Sequence, residues 1–268
     1  MLTLRIGFVL ATCFLMGLGY TPSSAQAQGT APAPSTTQTV DGWQFYVTPY
    51  LWVAGVNLSI NPARSHLPTA DVSVDFSQLI SHLDGVPFMG AAEAWNGRFG
   101  MMFDLISMPL GSGFSTPHSL FNGGDMSLRM TTGTALGMFR AIDAPNQYLD
   151  IGGGVRPWGL STDVALKAGI EPRRQASGWL SWADPLIAAR YHVGLGGPFS
   201  LTVYGDLGGF SVGSKFTWQV LGTVDYAVTE WCMLSVGYRS LNVDYRGSQG
   251  ALADLAMNGP FLAGRFRF

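Results

Sequence analysis

Twelve charged side chains, scattered one or two to a segment, hold most of the chemistry this chain can offer. They are Glu93, Asp104, Arg129, Asp150, Arg156, Asp184, Arg190, Asp206, Asp225, Arg239, Arg265 and Arg267, six acids against six arginines. Lysine is almost absent (Lys167 and Lys215), so positive charge is carried by the planar guanidinium, which grips a carboxylate bidentately where water is scarce. The chemistry implied is an internal ion-pair network. Where that network leaves a gap, it becomes a charged constriction that sorts small solutes. Nucleophilic and metal chemistry have thinner support. The four histidines, His66, His82, His118 and His192, form no His-x-x-x-His pattern, and Asp84 beside His82 is explained by a solvated loop. Gly152-Gly153-Gly154 and Gly208-Gly209 precede neither a helix nor a Lys-Ser/Thr pair, so they predict close strand packing and not a phosphate cradle. No catalytic residue, metal site or cofactor is expected.

The elements that must carry these charges are strands, because the charges recur in period two. In 199–207, Phe199, Leu201, Val203, Gly205 and Leu207 oppose Ser200, Thr202, Tyr204 and Asp206. In 187–193, Ile187, Ala189, Tyr191 and Val193 oppose Ala188, Arg190 and His192. The last eight residues place Leu262, Gly264, Phe266 and Phe268 on one face, and Arg265 and Arg267 on the other. A strand with one apolar face and one charged face, ending on an aromatic, suits a barrel wall between lipid and a polar lumen. Composition agrees. The 268 residues are 47% hydrophobic but only 12% charged, and after the first 20 residues no run approaches the roughly 20 apolar residues of a spanning helix. A net charge of −2 without a basic cluster gives no nucleic-acid footprint.

Ten such segments are predicted, near 43–56, 86–96, 98–109, 125–141, 147–160, 181–194, 198–209, 215–228, 231–246 and 258–268. Short turns at Asn96-Gly97, Asp143–Asn146, Gly196–Pro198 and Thr229-Glu230 take turns with longer connections at 57–85, 110–124, 161–180 and 247–257. Connection 210–214 is intermediate. The fold class expected is all-β, a transmembrane antiparallel up-and-down barrel of ten strands over residues 42–268. Segment 71–76 alternates and is an alternative eleventh strand, and 77–83 predicts a short helix capped by Ser77. Aromatics near the strand ends, among them Trp43, Phe45, Tyr46, Tyr50, Trp52, Trp95, Tyr148, Trp158 and Trp182, are expected to form two interfacial girdles. Residues 1–27, with Arg5, an apolar 6–20 and Ala25-Gln26-Ala27, read as a signal peptide, and 28–41 as a flexible lead. With such a signal removed Cys232 stands alone, so no intrachain disulfide is expected.

Trp43–Gly55 resembles the opening strand of a group of poorly characterised Gram-negative outer-membrane β-barrel proteins. Val72–Leu79, Glu93–Gly100 with Phe103-Asp104-Leu105, and Trp182–Tyr191 are similar to further segments of that group. Pro157-Trp158 departs from its pattern. The resemblance implies an outer-membrane location, lipid around the barrel, and a terminal strand (Gly264, Phe266, Phe268) read by the barrel-assembly machinery. It carries no activity. The functions in view are a structural barrel or narrow pore, a hydrolase working at the outer rim, and a surface barrel that binds a ligand or partner.

Overall fold

Period-two alternation builds strands almost everywhere in the computed structural model, which describes residues 42–61, 70–74, 87–114, 121–170, 172–247 and 252–268. The expected signal, the lead, the 77–83 helix and His66, His82 and His118 lie outside these residues. The strands are β1 (Trp43–Trp52), β2 (Gly55–Asn61), β3 (Ala70–Val74), β4 (Phe88–Asn96), β5 (Phe99–Phe114), β6 (Phe121–Ala144), β7 (Gln147–Ala168), β8 (Arg174–Gly196), β9 (Phe199–Gly208), β10 (Phe216–Ala227), β11 (Cys232–Arg246) and β12 (Leu252–Arg267). Sequence neighbours from β4 to β12 pair antiparallel, β4 pairs β1, and β1 pairs β12. Ten strands therefore close a ring, which removes every open edge at its waist. Closure runs to the last residue, where the Phe268 amide donates to the Phe45 carbonyl at 2.9 Å. β2 carries β1 onward along β12 after a break at Val53-Ala54, and β3 returns beside it, so the alternation at 71–76 does include strand.

Tight turns join the strands at one end. Gly97 (φ +56°) and Gly197 (φ +58°) take up the left-handed conformation those turns demand. At the other end the described residues of the expected long loops at 110–124, 161–180 and 247–257 are largely strand. β6, β7 and β8 run for 24, 22 and 23 residues. At ~3.3 Å per residue and a tilt of ~40°, 24 residues rise roughly 60 Å, about twice a hydrocarbon core.

The chemistry of the two faces changes along that length. Near the tight turns the outward face is apolar: Trp43, Phe45, Val47 and Leu51 on β1; Phe99, Met101, Phe103 and Leu105 on β5; Val220, Val224 and Tyr226 on β10. Farther on the outward positions turn polar, at Arg129 on β6, Asn242 and Asp244 on β11, and Asp254 on β12. Over the same stretch the inward positions turn apolar. Leu128 and Met130 flank Arg129, Leu241 and Val243 flank Asn242, and Leu255 and Met257 continue β12, all buried. The strands that cross this level, among them β6, β11 and β12, keep their parity across it while the outer wall changes from apolar to polar. A wall in lipid needs apolar residues outside, and a wall in water needs them inside. β9 and β10 stop at the switch, with Phe210 and Val212 exposed in their connecting turn.

Candidate functional site in the barrel interior

Inward positions in the lipid-facing half hold the charges. Arg190 on β8 is the hub. Its Nη1 donates to Glu93 Oε2 on β4 at 2.9 Å, and its Nε and Nη2 donate to Asp150 Oδ2 on β7 at 3.2 and 2.9 Å. Arg140 on β6 donates to Asp150 Oδ1 at 2.8 Å, and Arg265 on β12 to Glu93 Oε2 at 3.1 Å. Trp95 Nε1 supplies Glu93 with another donor at 2.8 Å. A second level joins Arg239 on β11 to Asp104 on β5 at 3.2 Å, with Gln219 accepting at 2.8 Å and Tyr50 Oη at 3.0 Å from the same guanidinium. A third pair, Arg156 and Asp206, is bidentate at 3.0 and 2.6 Å, with Tyr204 donating to Asp206 and Arg156 donating to Thr134. β8 and β4, like β11 and β5, lie four strands apart around the ring of ten, so two of these levels cross the lumen. Multiple hydrogen bonds are what make such charges tolerable away from water.

Two buried carboxylates, Asp184 and Asp225, have no ion pair among the described residues. Asp184 accepts from Trp182 Nε1 at 3.1 Å and from the Ser214 amide at 2.5 Å, which ties the β9–β10 turn to β8. Asp225 accepts the Thr202 hydroxyl at 2.5 Å, and Thr202 Oγ1 lies 2.9 Å from His192 Nδ1. Because Thr202 spends its proton on Asp225, His192 Nδ1 is the donor to Thr202. The imidazole thus holds the hydroxyl in place and does not activate it as a base would. Among the described residues no group of three His, Cys, Asp or Glu is placed to hold a metal ion.

The structure corrects two of the twelve charges. Arg129 is exposed on the outer wall, between the buried Leu128 and Met130. Arg267 has the inward parity of Arg265 but emerges at the tight-turn rim, exposed and outside the ion pairs of the described residues. The network instead contains Arg140. Arg140 and Arg129 are 11 positions apart, so on one unbroken strand they cannot share a face. Counting parity from Thr132 and Thr134 finds Arg140. The aromatics are corrected too. Trp43, Phe45, Phe99, Phe139, Phe199, Tyr226 and Phe268 face outward, but Tyr46, Tyr50, Trp52, Trp95 and Tyr148 point into the lumen. There they lie against guanidinium groups: Arg265 over Tyr46 at 4.0 Å, Arg140 over Tyr148 at 4.1 Å and Arg239 over Trp52 at 4.8 Å.

Between the Glu93–Arg190 and Asp104–Arg239 levels lies a cavity of about 140 Å³. Its walls include Thr48, Leu136, Thr202, Tyr204, Leu221 and Asp225. Above the upper level the interior is an apolar core of Trp52, Val56, Ile106, Met108, Met130, Trp158, Leu241 and Met257. Trp158, Trp182 and Tyr245 stack in series over it, at 5.6 and 4.2 Å, and reach from β7 to β11 above the short β9–β10 hairpin. The polar lumen expected from the alternation is therefore polar over one half only.

No protein-family model matches the chain, and no curated protein matches it. Solved structures do. The outer-membrane protease OmpT from Escherichia coli superposes with a TM-score of 0.57 at 9% identity, over 88% of this chain and all of OmpT. The translocator domain of the autotransporter NalP from Neisseria meningitidis aligns with a TM-score of 0.40 at 12% identity, over 87% of this chain and 90% of that one. This chain has the fold of a Gram-negative outer-membrane β-barrel. At 9% identity the likeness to OmpT reaches the fold and no further.

Proposed function

We propose that the chain is a structural barrel of the outer membrane whose lumen is closed to solutes. The observation that carries this reading is the stacking of three closures: the Glu93–Arg190 bridge, the Asp104–Arg239 bridge and the apolar core above them. A narrow pore would need a continuous wetted path. In this arrangement hydrated ions would have to break buried, multiply bonded guanidinium groups and then enter a core walled by apolar side chains, whose indole N–H groups at Trp52 and Trp158 cannot replace a hydration shell. The tight turns then face the periplasm, and the long strands stand out from the cell. The apolar outer band supports lipid as the surrounding partner. Gly264, Phe266 and Phe268, on the outward parity of the closing strand, support its reading by the assembly machinery. Reconstitution in planar bilayers tests the proposal. The expected record is silent at all voltages below membrane breakdown, and steady discrete openings would overturn it.

A further inference from the structure

Just beyond the apolar band, the outer wall of β10, β11, β12 and β2 carries a groove of about 320 Å³. Two parallel cross-strand rows line it. One runs Trp218, Asn242, Ala256, Asn57, and the other Phe216, Asp244, Asp254, Ser59. Ala256 is the small residue in a row of larger ones and forms the floor. An aromatic pair makes one bank, and the far bank is polar. Three inter-strand spacings of ~4.8 Å put the banks roughly 14 Å apart, about the length of a disaccharide. Asp244 and Asp254 stand directly opposite each other, an arrangement that costs stability. On one side it is offset by Arg246 at 2.9 Å and Lys215 at 3.7 Å from Asp244.

We propose that this groove holds the sugar headgroup of a membrane glycolipid. A pyranose has one apolar face of C–H groups and a rim of hydroxyls. The first stacks on an indole, and the second donates to carboxylates and pairs with amides. The groove offers these two chemistries side by side. Its two lining carboxylates are balanced by Arg246 and Lys215 beside Asp244, so the groove itself presents no net positive charge to a bare phosphate headgroup. Its height selects a lipid as the source: Val220 and Tyr238, in the rows below, are exposed and belong to the apolar band, so acyl chains against that band bring their headgroups level with Trp218. The proposal rests on the band lying in the membrane and on the long strands facing outward.

Native mass spectrometry of the full chain in detergent tests it, by competition between a diglucosyl diacylglycerol and phosphatidylglycerol with the same acyl chains. The glycolipid is expected to be retained about tenfold better. Ala256→Phe, which fills the floor, and Trp218→Ala, which removes the platform, are expected to bring the ratio near one, while Trp218→Phe keeps it. Heat-modifiable gel migration shows which variants are folded. A wild-type ratio of one overturns the proposal without reference to any variant, and so does an unchanged ratio in folded Ala256→Phe. Channel openings would refute the closed lumen and leave this ratio untouched, and a misassigned orientation would show as periplasmic protease access to the long strands.

Discussion

Replacing Arg239 by Met removes the guanidinium that crosses the lumen and leaves Asp104 without a cation. Arg239 is 3% exposed and Asp104 23%, so the stranded carboxylate retains some contact with water. Breaking a buried pair costs about 3–5 kcal/mol, and the partial exposure of Asp104 places this case near ~3 kcal/mol. Gln219, which accepts two bonds from Arg239, loses its donor and adds ~1 kcal/mol. The single variant is thus expected to lose about 4 kcal/mol. Adding Asp104→Leu removes the stranded charge. What remains is the loss at Gln219 and Tyr50, ~1 kcal/mol each, so the double variant is expected to lose only about 2 kcal/mol. The second substitution should therefore rescue the first. Urea unfolding in phospholipid vesicles, followed by tryptophan fluorescence and gel mobility, reads both values. A double variant less stable than Arg239→Met, or a single variant within 1 kcal/mol of wild type, would refute the account of Arg239 as a desolvated cross-lumen tie.

Arg140→Gln should cost about 2 kcal/mol in the same assay, because it strips a donor from the buried Asp150, whereas Arg129→Gln should stay within ~0.5 kcal/mol; equal effects would return Arg129 to the lumen. Gly152→Ala drives a methyl group into the Gly137 carbonyl and the Met138 sulfur and is expected to cost about 2 kcal/mol or to abolish refolding, while Gly178→Ala, with open space around it, should refold like wild type. Met257→Asp places a carboxylate in the apolar core at a site of 0% exposure and should reduce refolding yield in vesicles severely; normal yield would mean that water reaches this part of the interior.

The strands and their parity were legible because alternation is a local signal. Glu93, Asp150, Arg156, Arg190 and Asp206 could be assigned inward from a few neighbours each. The expected loops hid their strands for a physical reason. At 162–168 and 252–257 the alternation persists with its sense inverted, with Asp163, Lys167 and Asp254 outside and Leu255 and Met257 buried inside, and a reading tuned to lipid outside takes such segments for loop. Tyr46, Trp95 and Tyr148 were expected at the interfaces because aromatic type alone does not distinguish an interfacial ring from one stacked under an arginine.

By itself the sequence determined which residues share a face, because the pleat has period two whatever surrounds the strand. It also pointed to a barrel wall, since segment after segment sets an apolar face against a charged one, as lipid on one side and a polar lumen on the other require. Which carboxylate meets which guanidinium was decided only by the tertiary structure. Glu93 and Arg190 are 97 residues apart, and Asp104 and Arg239 are 135. They meet because ring closure and stagger bring strands four places apart to the same height, a property of the whole barrel that no segment contains. The level at which the interior passes from charged to apolar was set in the same way, by the height at which the outer wall leaves the lipid.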